Sequence, residues 1–252
     1  PRLILNCCRQ FGKSTITAVK AIHHSLTHPQ ATVLIAAPTE RQSAELLDKC
    51  ASYLRTLEIP FSNDRRHRAG LKLTSNQSRI LALPNSDSST RGYSASFLII
   101  DEAARVPDSV YTALRPTLAA AADPNAPLWL LSTPAAPSGF FHKFSSHPTH
   151  HHFHYFHHPI QHCPRITPAT IEQLRRELPP DQFARECLAE FSSAQSALFS
   201  PAEIQRAVTP AVTPFDFHAP FVPPLLAAPI DNFPRLNYFL GVDFGKSHDH
   251  SA

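Results

Sequence analysis

Four short apolar runs, Leu3–Leu5, Thr32–Ala37, Phe97–Ile100 and Leu128–Leu131, recur between residues 3 and 131 of the chain. Runs of this length without polar alternation are strands buried on both faces. The segments between them carry helical spacing: Ile16, Val19, Ile22 and Leu26; then Leu46, Leu47, Cys50 and Leu54; then Val110, Leu114 and Leu118. Strands that alternate with helices demand a mainly parallel sheet covered on both faces, so the expected class is α/β. Leu71–Leu73 and Ile80–Leu83, separated by Asn76 and Gln77, predict a hairpin at the sheet edge.

Beyond residue 140 the texture changes. Thr167–Phe191 reads as helix broken at Pro179-Pro180, and prolines then recur with little periodicity from Ser192 to Pro234. The expected organisation is one domain over 1–191, a proline-rich linker over 192–235, and the first strand of a second domain within 236–252, ending Gly241-Val242-Asp243. The chain opens at Pro1, holds no Met and stops shortly after that strand, so both ends read as cut. A net charge of +3 permits a nucleic-acid partner without demanding one. The five cysteines form no CxxC pair and are odd in number, which disfavours a zinc ribbon or a disulfide framework and suits a reducing, intracellular setting. No apolar run approaches the ~18 residues that span a bilayer.

Chemistry concentrates at two strand ends. After Leu3–Leu5, Gly12-Lys13-Ser14 opens a helix, supplying a tight turn, a cation for the outer phosphates and a hydroxyl for magnesium, with Gln10 and Thr15 flanking. The first glycine of the usual phosphate loop is missing, since Cys7 stands in its place. Leu98-Ile99-Ile100-Asp101-Glu102 carries two acids to the carboxyl edge of the sheet. There Asp101 can hold hydrated magnesium and Glu102 can orient and deprotonate an attacking water.

Together, Arg9-Gln10-Phe11-Gly12-Lys13-Ser14, Thr90-Arg91-Gly92-Tyr93, Asp101 to Pro107, Leu131-Ser132-Thr133-Pro134 and Gln182 to Glu186 through Phe199 resemble, in order, the motifs of large terminase subunits. The resemblance implies a P-loop ATPase of the RecA-like class that uses ATP and Mg2+ to drive double-stranded DNA into a procapsid. Portal protein and a small terminase subunit would be its partners. It would act as a ring on the portal in the host cytoplasm, with no membrane role. By the same resemblance Arg9 reaches the phosphates from within the chain, and Arg91 could serve the same electrostatic task. Ser132-Thr133 would couple phosphate loss to DNA movement, although Ser-Thr-Pro is also common turn chemistry. Asp243 matches the first-strand aspartate of an RNase H-like nuclease that uses two divalent metals and further acids that this chain lacks.

Some features stay open. A helicase-like ATPase shares the loop and acid strand, and an inactive remnant could bind without turnover. Adenine recognition has no residue assigned to it. Eight histidines between His147 and His162 suit either a zinc site or a half-exposed strand with Phe153, Tyr155 and Phe156 inward. Arg65-Arg66-His67-Arg68 is a basic cluster that fits DNA phosphates or a solvated loop.

Overall fold

The computed structural model describes residues 2–64, 67, 69–83, 92–119 and 126–191, all within one compact unit. The elements are β1 (Arg2–Cys7), α1 (Lys13–Thr27), β2 (Thr32–Ala36), α2 (Glu40–Thr56), β3 (Phe61–Asn63), β4 (Gly70–Leu73), β5 (Arg79–Ala82) and β6 (Phe97–Asp101). They continue with α3 (Asp108–Leu114), β7 (Leu128–Ser132), α4 (Gly139–Ser146), β8 (Phe153–His158), α5 (Pro168–Glu177) and α6 (Pro180–Glu186). One sheet runs in the order β3-β4-β5-β2-β6-β7-β1-β8. From β5 to β8 every pairing is parallel, whereas β3 with β4 and β4 with β5 pair antiparallel.

Alternation along the strands builds two cores. Leu98 and Ile100 of β6, with Leu34, Leu128 and Leu130, pack under α3 and α4. Phe97 and Ile99, with Val33, Ile35 and Leu131, pack under α1 and α2. All five residues of β6 are buried, as expected of a central parallel strand. Each fully buried aliphatic side chain there contributes roughly 1.5–3 kcal/mol.

The expected helices form, with corrections: α3 ends at Leu114 and Leu118 lies in a following 3-10 turn, α6 ends at Glu186 short of Phe191, and α1 turns a different face inward. Of Ile16, Val19, Ile22 and Leu26, only Ile22 is buried; Ile16 and Val19 are 55% and 50% exposed. The inward face of α1 is instead Thr17, Ala18, Ala21, Ile22, His24 and Ser25. Small side chains let α1 approach α2 closely, so that Cys50 Sγ lies 3.9 Å from Ala18 O. A stripe of Ile and Val would hold the two helices apart. Helix α2 buries Leu46, Leu47, Cys50 and Leu54 as expected, and its N-terminal Thr39 side chain accepts from Gln42 N–H.

At the sheet edge β4 and β5 make the expected hairpin, but β5 also pairs with β2 and the outermost strand is β3. Two of the three β3 residues, Ser62 and Asn63, are exposed and polar, which is why no apolar pattern announces it. Gly70 is required in β4, because an added Cβ would stand 2.7 Å from Leu81 Cδ2 and 2.9 Å from Asp64 Cβ. On the opposite edge, β8 is the half-exposed strand, with Phe153 buried and Tyr155 partly buried. Phe156 is 43% exposed, contrary to the expectation of three inward aromatics: an odd spacing from Phe153 puts it on the other face.

Among the described residues no group of three or more His, Cys, Asp or Glu side chains could hold a metal, so the zinc alternative for His147–His162 has no site there. No described helix is long and apolar enough to cross a membrane. All five cysteines are buried and unpaired, and burial pushes the Cys7 and Cys8 thiols up to about 11 and Cys50 to about 12. Of the basic cluster only His67 is described; Arg65, Arg66 and Arg68 lie outside the described residues, as do Thr90, Arg91, the expected linker and Asp243.

His24 gives the fold a pH dependence. Its ring is buried against Phe97 and His28, with Nε2 3.1 Å from Ser96 Oγ. Burial, with smaller contributions from the neighbouring charges of His28, Lys20 and His23, lowers its pKa to about 4. The fold therefore prefers the neutral ring. That stability is complete above pH 6.5 and is lost as pH falls toward 4, with a loss of about 2 kcal/mol at pH 5. Urea unfolding at pH 7 and pH 5 should show the parent losing about 2 kcal/mol relative to His24→Gln; an equal change in both proteins would refute the assignment.

Candidate functional site

The strands β1, β7 and β6 end side by side, and the chain leaves β1 and β7 in opposite directions. After β1 it crosses through α1 to β2; after β7 it returns through α4 to β8, beyond β1. Ligands of open α/β sheets bind at such a divergence. The phosphate loop and both strand-tip motifs expected from the sequence meet there.

Beyond β1 the backbone passes through two left-handed residues, Gln10 (φ 58) and Gly12 (φ 106), before α1 begins. Gly12 adopts this conformation without steric cost, whereas a side chain there would be strained. Alternating conformations of this kind turn successive amides toward one point, and α1 starts there with no side-chain cap. Loop amides and the positive helix end together favour an anion. Lys13 is only 8% exposed, and its Nζ donates to Cys7 O (3.3 Å), Cys8 O (3.2 Å) and Thr133 Oγ1 (3.1 Å).

A cleft of about 510 Å³ opens in front of the loop. Its walls include every residue from Arg9 to Thr15, so Arg9, Gln10, Gly12, Lys13, Ser14 and Thr15 are brought together as expected. Among the described residues, five cations, Arg9, Lys13, Lys49, Arg105 and Arg165, face one lining carboxylate, Glu102. That imbalance suits a polyanion.

Asp101 sits behind this wall, 9% exposed. Burial pushes its carboxyl up to about 6, and the charge of Glu102 adds to the shift. Its Oδ1 accepts from Glu102 N–H at 3.0 Å. Glu102 itself has φ 48, a left-handed conformation uncommon for a residue with a side chain and costing of order 1 kcal/mol. The twist takes Glu102 off the line of β6 and into the cleft wall. There its Oε2 accepts from Ser132 Oγ (3.2 Å) and pairs with Arg105 Nη1 (2.8 Å).

The tip of β7 thus touches both halves of the site: Ser132 reaches Glu102 and Thr133 reaches Lys13. This follows from sheet order, because β7 lies between β1 and β6. Both residues are buried where the chain leaves β7.

Several residues at the site have no role assigned by sequence. Arg165, just before α5, donates through Nη2 to Gln10 O (2.7 Å) and Phe11 O (3.2 Å), bracing the loop just before Gly12. Gln42 and Lys49 arrive from α2. Glu186, the last residue of α6, pairs with Arg9. A third apolar cluster, built on Cys8, Ile160, Phe183 and Cys187, packs Phe11 with side chains of α5 and fastens α5 and α6 to the loop. Arg105 and Glu186 fall inside quoted motifs, whereas nothing local marks Arg165, whose contacts lie 155 and 154 residues away.

Comparison with known proteins identifies the fold. Among solved structures, the large terminase ATPase domain of Thermus phage P74-26 matches with a TM-score of 0.64 at 23% identity, covering 75% of this chain and 88% of that one. The large terminase of another thermophilic bacteriophage, in complex with ADP, matches with a TM-score of 0.67 at 15% identity over 76% of this chain and 48% of that one. The HK97 bacteriophage large terminase gives 0.63 at 18% identity over 75% and 46%. These likenesses are of fold, and the chain spans about half the length of the latter two proteins. No curated protein matches the chain in sequence. The family model for the large terminase subunit, T4likevirus-type, N-terminal, matches residues 4–206, which is most of the chain, and the chain therefore belongs to that family.

Proposed function

We propose that the chain is the ATP-hydrolysing motor of a viral DNA-packaging enzyme, translocating double-stranded DNA into a procapsid. The observation that carries this reading is the β7 tip, which joins the phosphate-loop lysine to the candidate water-activating Glu102 through Thr133 and Ser132. A binding module needs the loop alone; a motor needs the loop and the base to share a structural link. The large terminase of a thermophilic bacteriophage has been solved with ADP and with ATP-gamma-S, which supports a nucleotide as the anion of this cleft.

In this mechanism the loop amides and Lys13 hold the outer phosphates, and Arg9 supplies further positive charge as the bond breaks. Glu102 accepts the proton of the attacking water, with its carboxylate kept in place by Ser132 and Arg105. Ser14 and Asp101 would hold magnesium, and the fit is chemical: a buried carboxyl held up near 6 is a donor whose ionised form a cation stabilises. Bound there, magnesium would neutralise charge on the phosphates. Gln10 and Thr15 border the phosphates, while Ser132 and Thr133 sense their departure.

For the full-length protein we propose assembly as a ring on the portal with a small terminase subunit, acting in the host cytoplasm. A C-terminal nuclease with two divalent metals would include Asp243. A single-turnover assay with magnesium ATP, with and without duplex DNA, tests the motor on the full-length protein. Phosphate release accelerated by DNA is expected. Binding of ATP without release in either condition would instead indicate a nucleotide-gated binding protein.

A further inference from the structure

Glu186 stands at the centre of an alternating row of charges. Its Oε2 is ion-paired with Arg9 Nε, and its Oε1 lies 3.7 Å from both Arg105 Nη2 and Arg185 Nε. Arg105 in turn pairs with Glu102. One carboxylate thus serves three guanidinium groups, one of them on the phosphate loop and one on the candidate catalytic base.

The two ends of the Arg9–Glu186 pair differ in freedom. The Glu186 side chain is 20% exposed, and that of Arg9 is 69% exposed. Glu186 ends α6 between Phe183 and Cys187, which are both buried in the cluster that also takes Cys8. Its backbone carbonyl accepts from Arg9 N–H at 3.0 Å, so the acceptor is fixed to the loop by main chain as well as by packing. The side-chain contact is close in distance, yet among the described residues Glu186 Oε2 has no aligned hydrogen-bond donor. A charge contact without alignment is the kind that a better acceptor displaces.

We propose that Glu186 is a positioning residue for Arg9: it holds the loop arginine at the edge of the cleft and competes with the incoming phosphates for it. This rests on the reading of the cleft as a nucleotide site. A phosphate chain offers several acceptor oxygens and more than one negative charge, so it draws the exposed arginine away while the buried glutamate stays with Arg105 and Arg185. Glu186 then weakens nucleotide binding, and α6 registers whether the loop arginine has been taken.

The test is the affinity of the full chain for magnesium ATP-gamma-S, measured by calorimetry. Glu186→Gln keeps the shape and removes the charge, and should bind roughly threefold to fivefold more tightly. Glu186→Asp retains the charge but withdraws it from Arg9, and should shift affinity in the same direction, which guards against misfolding of either variant. In an Arg9→Gln background the gain should disappear. Unchanged or weaker binding by both Glu186 variants would overturn the proposal. So would an equal gain with and without Arg9, since that would show a general field effect. Failure of the unaltered chain to bind ATP-gamma-S would instead remove the nucleotide reading, and this inference with it.

Discussion

Glu102→Gln is expected to lower ATP turnover by about 10²–10⁴-fold, the usual contribution of a general base, while ATP binding stays within about threefold. Glutamine keeps the side-chain oxygen that accepts from Ser132 and the backbone fold around φ 48, but it cannot take a proton. Lys13→Ala should fail differently. It deletes the donor that spans Cys7 O, Cys8 O and Thr133 Oγ1, so binding and turnover should fall together. Steady-state hydrolysis and equilibrium binding on the same preparations separate the two. Hydrolysis unchanged in both variants would refute the ATPase assignment.

Asp101→Asn should make the metal-free protein more stable by about 3 kcal/mol at pH 7, and this is the second large effect expected. The sign follows from the raised carboxyl. In the fold Asp101 titrates near 6, against 3.8 for an unperturbed aspartate, so the folded chain holds a proton that the unfolded chain has released. Stability therefore declines as pH rises through that window, and the decline is complete above pH 6. Asparagine carries no charge to bury, so its advantage should be full at pH 7 and vanish below pH 4. Urea unfolding in EDTA at both pH values measures it. Asparagine should also abolish any stabilisation by magnesium nucleotide, and a variant less stable than the parent at pH 7 would contradict the argument.

The sheet was legible because each central strand advertises itself. Phe97–Ile100 is a continuous apolar run, and no helix of four residues competes for it. The phosphate loop and acid pair were legible because their chemistry fixes residue type within a few positions. Three features were hidden for separate reasons. Strand β3 is two-thirds exposed polar side chain and pairs only at an edge. Helix α1 shows its bulky residues outward, so hydrophobic spacing found its period and gave the wrong inner face. Arg165 and Glu186 act on a loop more than 150 residues earlier, through contacts that exist only once α5 and α6 pack on Cys8 and Phe11. The sequence-assigned roles of Gly12, Lys13 and Glu102 depend on local chemistry; those two depend on tertiary closure.

The adjacent thiols at the end of the first strand carry a consequence for handling and for life in a changing redox environment. Cys7 and Cys8 lie beside the lysine of the loop, a cation that favours thiolate, yet burial outweighs that influence and keeps both groups protonated. Their sulfur atoms are therefore poor nucleophiles, slow toward alkylating reagents and peroxide while the chain is folded. A site flanked by two cysteines is in this way chemically quiet, and oxidative damage there would report that the fold had already opened.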